Sequence, residues 1–135
     1  MIVVDTDVLS ELMRARPSPV LTARLERVPV VEQATTAITL GELAYGARKA
    51  GRPALYQRAL ELLRGVRVLD FDRAAAEGYG ALRAQLERAG LRLADPDLRI
   101  AAIVTAHHAT LVTGNVRHFA RVPGLVVEDW RRGAR

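Results

Sequence analysis

The chain has 135 residues, 50% hydrophobic and 26% charged, which is typical of one ordered globular domain rather than a disordered or fibrous protein. Its lack of cysteine excludes a disulfide framework, a thiolate metal site and cysteine catalysis. No apolar run reaches the roughly 18 residues of a membrane span, and the amino terminus lacks the layout of a signal peptide. We therefore expect residues 1–135 to form a single cytoplasmic domain with no membrane partner.

The net charge of +5 is carried almost entirely by arginine, since only Lys49 among the 20 basic residues is lysine. Arginine binds phosphate through two hydrogen bonds and stacks on bases, so this excess is compatible with a nucleic-acid partner. A GC-rich genome gives the same bias, and the arginines are spread along the chain rather than clustered. The charge alone gives nucleic-acid binding only modest support.

The first predicted element is a buried strand that ends in acid. Residues 2–4 form a β-branched run that suits an interior strand, and Asp5 and Asp7 follow at once. An acid at the carboxyl edge of a parallel sheet suits a metal or phosphate site. An aspartate directly before a helix, predicted here to start at Thr6, is also an ordinary N-cap. This stretch leaves both interpretations open.

The rest of the chain alternates between helix and strand patterns. This alternation implies parallel pairing, and therefore an α/β fold: a three-layer α/β/α sandwich with a mostly parallel sheet of four or five strands. Apolar spacing and Pro, Gly and Asp boundaries predict helices over 6–16, 19–28, 39–50, 53–64, 72–89 and from 95 onward, and later strands over 30–36, 66–69, 109–112 and 125–127.

Further acids stand where helices begin, and each has an ordinary explanation. Thr39 and Glu42 fit the capping-box pattern. In the segment from Asp95 to Asp97, the first aspartate caps a helix, Pro96 takes its first position, and the second complements the helix dipole. Taken one at a time, these acids require no function.

Together, the acids are harder to explain as caps. In a parallel sheet, Asp5, Glu42 and Asp97 converge at one edge, where three carboxylates repel one another. A divalent cation removes that conflict, and Mg²⁺ or Mn²⁺ prefers oxygen ligands. Thr113 and Asn115 leave the fourth strand at the same edge, although an ordinary turn explains them equally well. The three histidines form no competing ligand set: His107, His108 and His118.

Four segments stand together in a familiar order: 2–9 (IVVDTDVL), 38–43 (ITLGEL), 97–102 (DLRIAA) and 111–119 (LVTGNVRHF). They resemble PIN-domain ribonucleases, and in particular the VapC-type toxins of bacterial and archaeal toxin–antitoxin pairs. The resemblance covers essentially the whole chain and implies a single PIN domain over residues 1–135. Each motif is weak alone, but four in register are specific.

The resemblance implies a metal-dependent endoribonuclease. Asp5, Glu42 and Asp97 would be its catalytic and metal-binding acids, with Thr6 and Thr113 as polar supports. Mg²⁺ or Mn²⁺ would activate a water that attacks phosphorus in line, leaving 5′-phosphate and 3′-hydroxyl ends. No nucleophilic side chain is then required.

The chain departs from the family pattern at one position of this site. Asn115, which we expect to be a further polar support, stands where many relatives have another acid. The resemblance therefore does not decide whether a second metal ion binds. Asp95 is a partial substitute for that acid, although we favour it as a cap. The arginines that we expect near the RNA backbone, if they are not plain surface charge, are Arg14, Arg99 and Arg117.

The resemblance also implies protein partners: a VapB-like antitoxin that inhibits the chain, and a second copy in a homodimer. Four apolar side chains are candidates for an exposed groove that receives an antitoxin helix, or else they pack on one another or in the dimer: Leu12, Met13, Tyr45 and Leu55.

Two alternatives remain at this point. One is a catalytically inactive PIN-like module that binds RNA or protein. The other is a haloacid-dehalogenase-like phosphatase, whose Asp-x-Asp pattern is matched by Asp5 and Asp7. That fold also requires a lysine near the phosphate, and Lys49, the only lysine, falls at the end of a predicted helix.

Overall fold

The computed structural model describes residues 1–131 and has a five-stranded, all-parallel sheet at its centre, with strand order β3-β2-β1-β4-β5. The strands are short and β1 lies in the middle, with Val3 opposite Ala34 of β2 and Leu111 of β4. The strands are β1 (Ile2–Val4), β2 (Gln33–Thr36), β3 (Arg67–Leu69), β4 (Thr110–Val112) and β5 (Val126–Glu128).

Seven α-helices connect and cover the strands of the described chain, as expected for a layered α/β fold. They are α1 (Thr6–Leu12), α2 (Pro19–Glu26), α3 (Ala37–Lys49), α4 (Ala54–Leu62), α5 (Arg73–Arg88), α6 (Asp95–Ala106) and α7 (Val116–Phe119). None of the helices in residues 1–131 combines the length and apolarity that a membrane crossing requires.

The sheet is buried on both faces, as expected for parallel strands linked by helices. Side chains alternate along β1, so Val3 packs in one hydrophobic cluster and Val4 in the other. The Val4 cluster is completed mainly by α1–α4 and the Val3 cluster mainly by α5–α7. The predicted three-layer α/β/α sandwich is therefore confirmed.

The local structure differs from the sequence prediction at several points, of which three are the clearest. The helix predicted over 6–16 ends at Leu12, well before Pro17. The strand predicted from Val30 begins with a 3₁₀ turn, Val30–Glu32, so that β2 starts at Gln33. The short helix α7 was not predicted at all.

The apolar side chains assigned to an exposed groove have different environments. Leu12 and Met13 are partly buried against the Val4 cluster, so the packing alternative holds for them. Leu55 is also partly buried. Tyr45 on α3 is 66% exposed and is the one member of the four that presents a large free surface in the described chain.

Candidate active site

Asp5 lies between β1 and α1, and it has both of the roles that the sequence left open. It is the N-cap residue of α1, and its Oδ1 accepts the Thr6 backbone N–H at 2.8 Å. Its Oδ2 accepts the Thr113 hydroxyl at 2.7 Å, and the residue is only 5% exposed. The bond to Thr113 crosses from β1 to the end of β4, so the sheet itself holds this carboxylate in place.

Burial raises the pKa of Asp5 from its ordinary value of 3.8 to about 6. The hydrogen bonds from Thr113 and Thr6 oppose this rise, whereas the negative charges of Asp7 and Asp97 add to it. The ionised form of Asp5 is therefore held at a cost in free energy that a nearby cation would remove.

Glu42 is not the partner of a capping box, which corrects that interpretation of the Thr39 segment. The N-cap of α3 is Thr36, whose hydroxyl accepts the Thr39 backbone N–H at 3.1 Å. Glu42 lies farther along α3, and its Oε1 accepts the Thr6 hydroxyl at 2.7 Å. The two motifs are therefore joined through Thr6, which sits between the carboxylates of Asp5 and Glu42.

Asp97 lies in the first turn of α6 and is partly buried. Its pKa is raised, first by burial and then by the charge of Glu42, with a smaller contribution from Asp7. The charge of His118 acts in the opposite direction and lowers it. Glu42 is thus close enough for its charge to oppose the ionisation of Asp97.

Asp95 does not cap α6, which corrects the expectation for this residue. Ala94 holds the N-cap position, and Asp95 is the first residue of the helix. Its carboxylate accepts hydrogen bonds from the Tyr79 hydroxyl and, at 2.6 Å, from Arg99 Nε. The Arg99 guanidinium also stacks 5.3 Å from the centre of the Tyr79 ring. Asp95 therefore belongs to an exposed network between α5 and α6 and does not replace the missing acid at position 115.

The exit from β4 is tied to the start of α1. The Gly114 backbone N–H donates to Asp7 Oδ2 at 2.9 Å, and the Asn115 backbone N–H donates to the Thr113 hydroxyl at 3.0 Å. These bonds turn the chain at the edge of the sheet and bring Asn115 to the cleft as a neutral polar group.

One cleft of about 440 Å³ at this edge brings the sequence-predicted acids together. Thr113 lies beneath it, fully buried and bonded to Asp5. The cleft is lined by Asp5, Thr6, Asp7, Glu42, Asp97, Gly114 and Asn115.

The arginines expected near the RNA are not part of this lining within residues 1–131. Arg14 pairs with Glu11 at 3.2 Å on the surface of the α1 region. Arg99 is engaged by Asp95, although it borders a neighbouring depression that shares Glu42 with the cleft. Arg117 is exposed at the start of α7.

Two groups near the acids were not predicted as site residues. Asp7 follows Asp5 by two residues and lies in the first turn of α1. That spacing was the sequence signal that could have identified Asp7 as a cleft residue. His118 gave no such signal, because its proximity to Asp97 depends on how α7 folds. Its Nδ1 is buried and has no hydrogen-bond partner in the part of the chain that the structure describes.

The side chains that line the cleft suit a hard divalent cation, because each of them presents an oxygen atom that can act as a metal ligand. Burial and neighbouring carboxylates raise the pKa values of Asp5 and Asp97, so a cation between them would stabilise their ionised forms. Among residues 1–131, however, no group of three or more His, Asp or Glu side chains is already arranged as a metal site.

Comparison with known proteins identifies the family. The PIN domain family matches residues 2–125 of this chain. Ribonuclease VapC2 of Rickettsia felis is 39% identical over 98 residues, covering 72% of this chain and 73% of that protein. The tRNA(fMet)-specific endonuclease VapC of Salmonella typhimurium is 39% identical over 99 residues, covering 70% and 73%.

A solved structure agrees with these relatives. The crystal structure of VapBC2 from Rickettsia felis bound to a DNA fragment from its promoter contains a chain that is 32% identical, with a TM-score of 0.85 over 96% of this chain and 99% of that one. A match over nearly the whole length leaves no place for the haloacid-dehalogenase-like alternative. The chain therefore belongs to the PIN-domain family and, within it, to the VapC ribonucleases.

Proposed function

We propose that this chain is a metal-dependent endoribonuclease that acts as the toxin of a toxin–antitoxin pair. The observation that carries the proposal is the convergence of Asp5, Glu42 and Asp97 on one cleft at the carboxyl edge of the sheet. The ribonuclease and endonuclease names of the VapC relatives support the reaction class.

The proposed cofactor is Mg²⁺ or Mn²⁺, held by Asp5, Glu42 and Asp97. When bound, such an ion lowers the pKa of a water molecule and neutralises the charge that develops on the phosphate. Oxygen donors and an all-carboxylate set favour these hard cations over the softer ones that bind His or Cys.

The residues of the chain itself would provide positioning. Thr6 donates its backbone N–H to Asp5 and its hydroxyl to Glu42, so one residue sets the orientation of two acids. Thr113 fixes the other oxygen of Asp5 from the end of β4. With these oxygens oriented in advance, the RNA phosphate meets a fixed arrangement rather than side chains that must reorganise during the reaction.

The neutral amide of Asn115 lies on the cleft where a further acid is expected from the family resemblance. Asp7 lines the same cleft and carries a charge, but its carboxylate is already engaged by the Gly114 N–H. We propose Asn115 as a polar support for the substrate or water. Arg14, Arg99 and Arg117 remain proposed contacts to the RNA backbone.

The proposed inhibitor is a small VapB-like antitoxin, and the second copy in a homodimer also remains a proposal. The Rickettsia felis relative was solved as a VapBC2 complex on promoter DNA, which supports an antitoxin partner for this chain. Exposed Tyr45 lies beside a depression that includes Glu42, Ile38 and Arg99, so a partner seated there would reach the edge of the cleft.

A metal titration tests the enzymatic function. The purified chain is incubated with total RNA after chelation, and Mg²⁺ or Mn²⁺ is then added back in steps. Cleavage that appears only with the ion supports the proposal, and sequencing the new 5′-phosphate ends identifies the substrate. RNA binding without cleavage at saturating ion would instead support the alternative of an inactive PIN-like binding module.

A further inference from the structure

A guanidinium group lies at the rim of the carboxylate cleft. Arg131 Nη2 donates to the Gly114 carbonyl oxygen at 3.3 Å, and Gly114 lines the cleft. A Cβ atom built on Gly114 would lie 2.5 Å from Arg131 Cζ and 2.7 Å from Asp7 Oδ2. The absence of a side chain at Gly114 therefore allows the guanidinium to lie directly against the backbone of the cleft.

Asp129 orients this guanidinium. Arg131 Nε donates to Asp129 Oδ1 at 3.1 Å, and Nη2 donates to Oδ2 at 3.1 Å. The Arg131 backbone N–H also donates to Oδ1, at 3.0 Å. Paired bonds of this kind fix the plane of an arginine as well as its position. Nη1 makes no hydrogen bond to residues 1–131.

The surroundings of Arg131 are strongly negative. Its pKa is raised, first by the hydrogen bond to Asp129, and the charges of Asp129, Asp7 and Glu11 contribute as well. The acids of the cleft repel an RNA strand, whose phosphates are also negative, so a fixed cation at the rim would offset that repulsion.

We propose that Arg131 binds a phosphate of the RNA strand beside the bond that is cleaved, and that Asp129 is its positioning residue. This inference rests on the proposed ribonuclease function and adds a substrate contact to it. Arg131 is not itself in the cleft lining, but it donates a hydrogen bond to the lining residue Gly114, whereas Arg14 and Arg99, which the sequence suggested, pair with Glu11 and Asp95 outside the lining.

The test measures RNA binding separately from cleavage. Fluorescence anisotropy with a labelled oligouridylate of about a dozen nucleotides is recorded in chelator over a series of salt concentrations. We expect Arg131→Ala to weaken binding about 10-fold at low salt, as for loss of one charged hydrogen bond. The salt slope of log K should become shallower by about 0.7, the value for one single-strand phosphate contact.

The matched control is Arg73→Ala, which removes an exposed arginine that is paired with Glu77 on α5. Its affinity and salt slope should remain those of the wild type. If Arg131→Ala behaves like Arg73→Ala, the phosphate contact is refuted. Wild-type chain that binds RNA but never cleaves it would refute the proposed function, whereas the binding and salt data would still decide whether Arg131 contacts a phosphate.

Asp129→Asn tests the positioning role separately. The substitution removes a negative charge, which by itself should strengthen RNA binding. If Asp129 orients Arg131, binding should instead weaken about 3-fold, because one partner of the paired bonds is lost. A higher affinity than the wild type would show that only charge matters and would overturn the positioning role.

Discussion

Asp95 and Asp97 are two residues apart in the first turn of α6, yet their surroundings have opposite effects on their charge. The pKa of Asp95 is lowered, chiefly by the hydrogen bond from Tyr79 and then by Arg99. The pKa of Asp97 is raised, chiefly by burial and then by Glu42. One carboxylate is satisfied by its own chain, whereas the other is placed among groups that disfavour its ionised form.

The same contrast separates two regions. The outer network consists of Tyr79, Arg83, Asp95 and Arg99, whose charges and hydroxyl pair with one another on an exposed surface. In the cleft, no Arg or Lys among residues 1–131 forms an ion pair with Asp5 or Asp97, and the charge of His118 only partly offsets the raised pKa of Asp97. Paired surface charges are a property of many folded proteins, so the unpaired buried carboxylates are the better indication of function.

The largest expected effect follows from removing a cleft acid. Asp97→Asn should lower cleavage at least about 1,000-fold, roughly 4 kcal/mol of barrier, while the far-UV circular dichroism spectrum stays unchanged. Asp95→Asn, on the same helical turn, is the matched control and should change the rate less than about 2-fold. Near-wild-type cleavage by Asp97→Asn would remove this residue from the proposed site.

The second prediction concerns pH and the chain without metal. The native pKa of Asp5, about 6, exceeds its ordinary 3.8, so the folded chain holds this proton more tightly than the unfolded chain. The free energy of unfolding should therefore fall as pH rises from about 4 to 6, by about 3 kcal/mol from Asp5 alone. Denaturant titrations at a series of pH values, with a chelator present, measure this free energy of unfolding.

Asp5→Asn supplies the comparison for that experiment. The variant lacks the titrating group, so its stability relative to the wild type should increase by about the same 3 kcal/mol across this pH range. A constant difference between the two proteins from pH 4 to 7 would argue that Asp5 ionises without penalty.

A smaller effect is expected from metal binding. Mg²⁺ or Mn²⁺ should raise the melting temperature, because a ligand that binds only the native state stabilises it by mass action, about 2.7 kcal/mol at a 100-fold excess over Kd. Asp5→Asn should reduce this rise, and Asp95→Asn should not. An equal rise in all three proteins would point to ion binding outside the cleft.

The smallest effect concerns the outer network. Tyr79→Phe removes the hydroxyl that bonds to Asp95 and should lower the melting temperature by no more than about 4 °C. The midpoint of the metal titration should stay where it is, because Asp97 retains its surroundings. A shifted midpoint would mean that the network helps to hold Asp97 in place, which would weaken the contrast drawn between the two regions.

The sequence predicted well what depends on local patterns. The β-branched run of β1, the Asp72 cap of α5 and the apolar α6 were all readable from neighbouring residues. Capping was less predictable, because the position of a cap depends on where the preceding strand ends. The N-cap of α3 is Thr36 and not Thr39. The spacing of residues along the chain could not show that Asp95 would accept a hydrogen bond from Tyr79.

The geometry of the cleft was predictable only in outline. Parallel pairing placed the predicted acids at one edge, but the Thr6 bond to Glu42 joins residues 36 positions apart in the chain. Contacts between residues so far apart in the chain depend on how the elements pack together, which the periodic spacing of apolar residues does not reveal. The contact between Arg131 and Gly114 is of the same kind and had no signal in the sequence.

The strand-to-helix connections next to Asp5 and Glu42 have almost no length. Asp5 is the single residue between β1 and α1, and α3 begins directly after the last residue of β2. The strands and helices at these two joints therefore hold Asp5 and Glu42 without an intervening loop. A one-residue insertion at either joint would rotate the following helix by about 100°. We therefore expect a one-residue insertion at either joint to abolish cleavage.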